Sequence, residues 1–164
     1  DAAQAAGDGG QAAIVMHAFG HPADLDALVF FLSRLGPPPR VSVAPALEEA
    51  GRVVFADVGC GACHTPTLAD EDGNPVALYS DLLLHDVAPA GFVGIEDGMA
   101  SMREFRTPPL WGLSRTAPYL HDGAAFSIED AIARHAAEAA ASTAAYEALG
   151  AEQRAALIAF LESL

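Results

Sequence analysis

Residues 59–66 read Gly-Cys-Gly-Ala-Cys-His-Thr-Pro and contain the only two cysteines in a chain of 164 residues. The two thiols lie three positions apart, and an imidazole directly follows the second one. Thiol and imidazole groups at such close spacing are typical of a segment that holds a metal or a metal-containing cofactor. We therefore expect the chain to fold around whatever this segment binds.

Cys-x-x-Cys-His is the attachment signal for c-type haem. The spacing suits that role because Cys60 and Cys63 can each reach one vinyl group, while His64 is turned under the iron as the proximal ligand. Gly59 and Gly61 have no side chain that would keep the backbone away from the porphyrin edge. The segment predicts one covalently attached haem c.

Three other sites use similar residues. A thioredoxin-like redox pair would follow a strand, and no strand is predicted before Cys60. A zinc site would need further ligands, and the chain has no second cysteine pair. A structural disulfide would close too small a loop to add much stability.

The composition limits the possible partners. The formal charge is −14 and every basic residue is arginine, so the field of the chain repels nucleic acid and anionic lipid. The acidity fits either a basic partner surface or a solvated acidic face. No apolar run is long enough to span a membrane, and the first residues lack the features of a signal peptide, so we expect a mature or trimmed chain.

The periodicity of apolar residues predicts an all-α fold with long loops in the middle of the chain. Residues 1–40 are interpreted as an N-terminal arm and linker helix, and residues 41–164 as the cofactor domain. A single helical turn is expected near residues 79–84. Longer helices are predicted at about 22–35, 45–56, 128–140, 143–149 and 151–164, the last two meeting at Gly150.

Further segments follow the cysteine motif in a familiar order. They are "YSDLLLHD" at 79–86, "REFRTPPLWGL" at 103–113, "TAPYLHDG" at 116–123 and "SIEDAIARHAAEA" at 127–139. Over residues 20–164 the sequence resembles the C-terminal haem domain of the bacterial di-haem oxidoreductases, which are related to di-haem cytochrome c peroxidases and MauG-type enzymes. The resemblance implies a cytochrome c-like fold whose long loops wrap the haem.

The sequence departs from that family in one respect. Family members carry two Cys-x-x-Cys-His motifs, and this chain carries one. In the family the N-terminal haem is the peroxidatic one, and the C-terminal haem mainly passes electrons. The resemblance therefore implies that this chain corresponds to the electron-passing half.

His135 is the predicted distal ligand of the iron. It follows Ile128, Ala131 and Ile132 at helical spacing, which would place its imidazole on the buried face of one helix. The resemblance also places His135 where related domains present a distal methionine or tyrosine. Together with His64 it would give bis-histidine ligation.

His121 is the main rival for that position, although its polar loop suits a hydrogen bond to a haem propionate or a backbone carbonyl better. Met99 and Met102 lie in an acidic loop that we expect to be exposed. His85 is expected to pack or to hydrogen-bond locally. The remaining histidines, His17 and His21, are expected to face solvent.

The haem propionates need positive partners in so acidic a chain. Arg106 and Arg115 are the predicted partners, because a guanidinium fork matches a carboxylate and stays charged when buried. Trp111 could donate its indole N–H or pack on the porphyrin. Arg103 and Arg134 are expected in surface ion pairs.

These observations favour a c-type electron-transfer cytochrome with one bis-histidine haem. The alternative is a haem subunit or fragment of a di-haem peroxidase or oxidoreductase whose iron site can open. The expected partner is a redox protein, and another haem subunit is one candidate for it. Neither nucleic acid binding nor membrane insertion is expected. Because covalent haem attachment is completed outside the bacterial cytoplasmic membrane, a periplasmic or otherwise exported location is predicted.

Overall fold

The computed structural model describes residues 22–164. The chain divides into two compact units between Gly36 and Pro37, where a run of three prolines begins. Proline fixes its own φ and disfavours a helical conformation in the residue before it, so such a run separates folded units. The predicted functional division at residue 40 stays a prediction.

Within the described part of the first unit, helix α1 spans Pro22–Leu32. It ends three residues before the predicted end at 35. The Ser33 hydroxyl donates to the carbonyl oxygen of Phe30 at 2.8 Å, and the chain then leaves the helix in a turn. Serine hydroxyls compete for backbone groups in this way, which accounts for the early end.

The core of the second unit lies where helices α2, Pro45–Asp57, and α5, Ala151–Glu162, cross. A Cβ added at Gly51 would lie 1.9 Å from the carbonyl oxygen of Ala156, so only glycine permits this approach of the two backbones. Phe55, Tyr79 and Phe160 pack edge to face beside the crossing, with ring centroids 5.4–5.9 Å apart. The predicted helix at 45–56 is confirmed.

The expectation of an all-α fold is wrong, because the described residues contain two small antiparallel sheets. Strands β1, Leu68–Ala69, and β2, Pro75–Val76, form the first sheet. Strands β3, Leu84–Asp86, and β4, Glu104–Arg106, form the second. Strands of two or three residues are too short to give an alternating pattern, which is why the sequence did not reveal them.

The helical turn expected near residues 79–84 is also wrong. Tyr79 and Leu82 have φ values of 52° and 61°, in the left-handed region, and β3 begins at Leu84. A right-handed helix cannot continue through such residues. A 3-10 helix at Leu113–Arg115 follows β4 and the proline-rich loop.

The helices of the C-terminal part are shorter and more often interrupted than predicted. Helix α3 spans only Ile128–Ala133, a 3-10 helix covers Ala137–Ala139, and α4 spans Ala140–Glu147. The Ser127 hydroxyl caps α3 by accepting the backbone N–H of Asp130 at 3.1 Å, as its sequence predicts. Gly150 separates α4 from α5, and that prediction is confirmed. Among the helices of residues 22–164, none has the length and apolar character needed to cross a bilayer.

Candidate functional site

The Cys-x-x-Cys-His segment follows directly on α2 and packs beside the core. Gly59 enters it with φ of 87°, a left-handed conformation in which glycine is favoured. A 3-10 helix then runs over Cys60–Ala62, and the backbone N–H of His64 donates to the carbonyl of Cys60 at 3.0 Å. Both cysteines are free thiols and partly buried. The segment therefore presents two unpaired sulfur atoms and one imidazole from a single compact turn.

The tautomer of His64 is fixed by the backbone. Its Nδ1 lies 2.9 Å from the carbonyl oxygen of Tyr79, and because a carbonyl only accepts, Nδ1 carries the proton. The lone pair is then on Nε2, which has no hydrogen-bond partner among the described residues. Burial lowers the pKa of His64, although the hydrogen bond to the Tyr79 carbonyl acts in the opposite direction. A neutral imidazole with a free Nε2 is the form that ligates a metal.

His135 has the same chemistry, but it is positioned differently from the prediction. Helix α3 ends at Ala133, so His135 lies beyond the helical stripe that was expected to bury it. Its Nδ1 lies 2.7 Å from the carbonyl oxygen of Ala131, which again leaves Nε2 with the lone pair. The Thr143 hydroxyl donates to the carbonyl of His135 at 2.8 Å and holds this half-buried residue in place.

The rival ligands are arranged less favourably. His121 is exposed and stacks on Phe105, with ring centroids 3.9 Å apart and ring planes at 17°. Its ring nitrogens make no hydrogen bond to the residues from 22 onward, so the backbone partner expected for it is not seen there. His85 has both ring nitrogens hydrogen-bonded to carboxylates. Met99 is fully exposed, as predicted, whereas Met102 is half-buried, so its predicted exposure is wrong.

A cavity of about 70 Å³ adjoins both His121 and His135. Phe92, Phe105 and Leu120 form apolar parts of its wall, and Arg134 adds a guanidinium. None of its lining residues comes from the Cys-x-x-Cys-His segment. The cavity therefore lies against the predicted distal ligand and away from the proximal one.

The side chains predicted to meet the propionates are placed as follows. Arg106 ends β4 and Arg115 ends the 3-10 helix at Leu113–Arg115; both are exposed, and neither pairs with a carboxylate within the described part of the chain. Trp111 donates its indole N–H to the carbonyl of Ala77 at 2.8 Å, so that donor is already used. Arg103 and Arg134, which were expected in ion pairs without named partners, bind Asp86 at 2.9 Å and Asp130 at 2.8 Å.

Sequence reasoning missed three groups that organise this site. They are the carbonyl of Tyr79, the hydroxyl of Thr143 and the carboxylate of Glu138, which binds His85 from 53 residues away. None has a motif of its own. Only the Asp81–His85 pair, four residues apart, gave a local signal. His17 and His21 lie outside the described residues.

The donor set fits a haem. The two free thiols and His64 of the Cys-x-x-Cys-His turn, together with His135 from a later segment, are donors of the kind that hold a haem. The structural disulfide and the thioredoxin-like pair fit less well, because Cys60 and Cys63 form no disulfide and no strand precedes them within residues 22–164. The residues brought together here therefore fit a haem-binding site.

The chain belongs to the di-haem oxidoreductase family. Residues 12–164 match the family described as "Di-haem oxidoreductase, putative peroxidase". The family is one of haem cytochromes with peroxidase-like members, and membership implies a haem cofactor. This agrees with the resemblance found in the sequence motifs.

Two relatives extend the comparison. The chain is 30% identical over 91 residues to cytochrome c551 peroxidase of Pseudomonas aeruginosa, covering 54% of this chain and 26% of that protein. It also resembles a chain of hydrazine synthase from Kuenenia stuttgartiensis, solved under 20 bar of xenon, with a TM-score of 0.61 and 26% identity. That match covers 88% of this chain and 56% of the other. The chain thus spans about a quarter of the peroxidase and about half of the synthase chain.

Proposed function

We propose that this chain is an electron-transfer domain with one covalently attached haem c, ligated by His64 and His135. The observation that supports the proposal most strongly is that the two imidazoles have the same tautomer and the same kind of hydrogen-bond partner. Each has Nδ1 tied to a main-chain carbonyl and an Nε2 without a partner in residues 22–164. Two histidines held in the same tautomer suit two axial positions on one metal.

Cys60 and Cys63 are the proposed attachment points. Burial raises the pKa of Cys60 to about 11, and burial followed by the charges of Asp81 and Glu138 raises the pKa of Cys63, so both thiols keep their protons. Addition of a thiol to a vinyl group forms one C–S and one C–H bond and breaks the S–H bond and the C=C π bond. The step needs no net oxidant or reductant. The same sulfur atoms then hold the cofactor beside His64.

The ligands decide the chemistry that this domain can perform. When bound, haem supplies a one-electron couple between ferric and ferrous iron. His64 and His135 together would fill both axial positions, which leaves no position for a substrate. Two imidazoles also favour a lower reduction potential than a histidine and methionine pair.

Arg106 and Arg115 are proposed to neutralise the propionates. Both guanidinium groups are free of carboxylate partners in the described structure, whereas Arg103 and Arg134 are paired. An unpaired guanidinium in a chain with a formal charge of −14 is suited to bind a carboxylate. Trp111 would contribute by packing, since its N–H donor is occupied.

The partner is proposed to be a redox protein with a basic docking surface, and a second haem subunit is one such protein. The strong negative charge of the chain would steer a basic partner towards it and would repel nucleic acid. Covalent haem attachment outside the cytoplasmic membrane supports a periplasmic or otherwise exported location.

A second candidate is a peroxidase or oxidoreductase subunit whose iron site opens. Two observations favour it: the family has peroxidase-like members, and the cavity beside His135 contains His121 and Arg134. In that case His135 would leave the iron and turn towards the cavity. Titration of the ferric protein with peroxide distinguishes the candidates, because a permanently six-coordinate iron leaves the Soret band unchanged.

The ligand assignment is tested by two variants of the haem-loaded protein. His135→Ala should convert a low-spin spectrum to a high-spin one and should allow cyanide to bind. His121→Ala should keep the low-spin spectrum, since His121 is not proposed to ligate iron. A spectral change in His121→Ala, with none in His135→Ala, would reverse the assignment.

A further inference from the structure

His85 lies between two carboxylates from different parts of the chain. Its Nε2 is 2.8 Å from Oδ2 of Asp81, and its Nδ1 is 3.0 Å from Oε2 of Glu138. Ionised carboxylates only accept hydrogen bonds, so both ring nitrogens donate and the imidazole is positively charged. The His85 and Asp81 side chains are only 18% and 14% exposed, which protects their bond from competing water, whereas the Glu138 side chain is 53% exposed. The three residues form what we call the His85 link.

Asp81 connects this link to the proximal side of the haem site. Its backbone N–H donates to the carbonyl of Cys63 at 2.9 Å, and its Oδ1 accepts the N–H of Leu83 at 2.9 Å. Ligand atoms of Cys63, Asp81 and His85 all lie within 4.8 Å of one another. The Asp81 carboxylate is therefore fixed next to one of the proposed attachment sulfurs.

Glu138 connects the link to the distal side. It lies three residues after His135, and its second oxygen accepts the backbone N–H of Asp86 at 2.9 Å. Next to it, the N–H of Ala136 donates to the carbonyl of Val87 at 3.0 Å. The short segment after His135 is thus held against β3 by one carboxylate and one backbone hydrogen bond. Helix α3 has already ended before this segment, which continues into the 3-10 helix at Ala137–Ala139.

The charges around the link make the imidazolium necessary. Asp81 and Glu138 are both negative, and without a cation between them they would repel each other. Asp86, the next carboxylate on β3, is already paired with Arg103 at 2.9 Å. The other titratable neighbours are the thiol of Cys63 and the imidazole of His64, and neither supplies a positive charge when a haem is bound. His85 is thus the cation that joins the two carboxylates.

We propose that His85 is a positioning residue for the distal ligand, and that its charged ring holds His135 at the iron by fastening Glu138 to Asp81. This rests on the proposed function, since it takes His135 as an axial ligand. A neutral side chain at position 85 leaves two unpaired carboxylates facing each other. The segment that carries Glu138 then moves away from Asp81, and His135 moves with it.

The proposal predicts a dependence on pH with a definite sign. Hydrogen bonds from Glu138 and Asp81, in that order, raise the pKa of His85 above 6.5. The link is complete below that value and is lost as the pH rises through the raised pKa. Cyanide binding to the ferric protein should accelerate over the same rise in pH, and a variant without His85 should lose this dependence.

The decisive experiment uses the haem-loaded protein and measures the rate of cyanide binding together with the low-spin fraction. His85→Gln should bind cyanide at least about tenfold faster, which corresponds to about 1.4 kcal/mol. Glu138→Gln alone should give a smaller change in the same direction, because it weakens the link. In the His85→Gln background, Glu138→Gln should slow cyanide binding again, because it removes the repulsion between the carboxylates.

Glu49→Gln is the matched control. Glu49 forms an exposed ion pair with Arg52 on α2, so the same substitution there should leave cyanide binding unchanged. Should His85→Gln fail to fold, the single Glu138→Gln variant and the pH profile of the wild-type protein still test the proposal.

Two results would overturn it. The first is unchanged cyanide binding in His85→Gln and Glu138→Gln in a protein whose His135→Ala variant does bind cyanide; the proposed ligation would then stand without any role for His85. The second is a His135→Ala variant that stays low-spin, which would remove the ligation and the positioning role together. A His85→Gln variant that is less stable but binds cyanide at the wild-type rate would overturn the proposal in the same way as the first result.

Discussion

The two histidines proposed as iron ligands are held in different ways. His64 follows α2 and bonds to the carbonyl of Tyr79, whose ring packs between Phe55 and Phe160 in the core. We call this the proximal region. His135 follows the short helix α3 and is held by hydrogen bonds through Thr143 and its neighbours. We call this the distal region.

The difference shows where the site is rigid and where it can change. Apolar packing in the proximal region is distributed over many contacts around Tyr79, whose carbonyl accepts the hydrogen bond from His64. In the distal region a few hydrogen bonds fix the short segment between α3 and α4, in which Ala137 has a left-handed φ of 47°. Loss of one partner should therefore affect the distal ligand more than the proximal one.

The largest effect is expected from removing the attachment points themselves. A Cys60→Ala, Cys63→Ala variant should lose covalent haem and much of its helical circular dichroism, because the haem is proposed to pack beside Cys60 against the apolar core and to stabilise it. Haem staining after denaturing electrophoresis and far-ultraviolet circular dichroism measure the two outcomes.

The single variant Cys63→Ala is the control for this experiment, since it keeps one thioether and the proximal ligand. It should retain stain and most of its helical signal. A double variant with unchanged helical content would mean that the proximal region folds on its apolar packing alone, without the cofactor.

A smaller effect is expected from the core of the proximal region. Phe160 is 1% exposed and contacts both Phe55 and Tyr79, so Phe160→Ala should lower the free energy of unfolding by about 3–5 kcal/mol. Denaturant unfolding of the haem-loaded protein measures it. Phe126 is 80% exposed, and Phe126→Ala should change that free energy by less than about 0.5 kcal/mol. Equal effects of the two substitutions would contradict the placement of the core.

The proximal region is also the part that the sequence predicted well. Its chemistry is contained in a contiguous motif, and the helix before it has an apolar face with the correct period and a proline at its start. Local sequence is sufficient there because neighbouring residues form both the helix and the attachment turn. The role of the Tyr79 carbonyl as hydrogen-bond acceptor for His64 was not predicted, because every residue has a backbone carbonyl and the residue type does not indicate which one is used.

The distal region and the sheets could not be predicted in the same way. The sequence indicated one helix through His135, but the chain breaks it after Ala133 to satisfy contacts with Val87 and Thr143. Strands β3 and β4 depend on the pairing of His85 with Phe105 across the sheet. Such long-range contacts outweigh local propensity, and they cannot be inferred from the sequence of any one segment.

The smallest expected effect tests the hydrogen bonds of the distal region. Thr143→Val keeps the shape of the side chain but removes the donor to the carbonyl of His135, so it should lower the free energy of unfolding by about 0.5–1.5 kcal/mol. It should also raise the rate of cyanide binding, because His135 is then less firmly held. Denaturant unfolding and cyanide kinetics on the same preparation give both values.

Ser127→Ala is the control that separates the effect of the Thr143 hydrogen bond from a general loss of stability. It removes the N-terminal cap of α3 and should cost a similar amount, about 1 kcal/mol, at the end of the helix farthest from His135. If only Thr143→Val changes the cyanide rate, the hydrogen bond and not general stability holds the distal ligand. If both variants change the cyanide rate equally, α3 as a whole positions His135. The distal ligand would then be held by packed secondary structure, as the proximal ligand is, only less firmly.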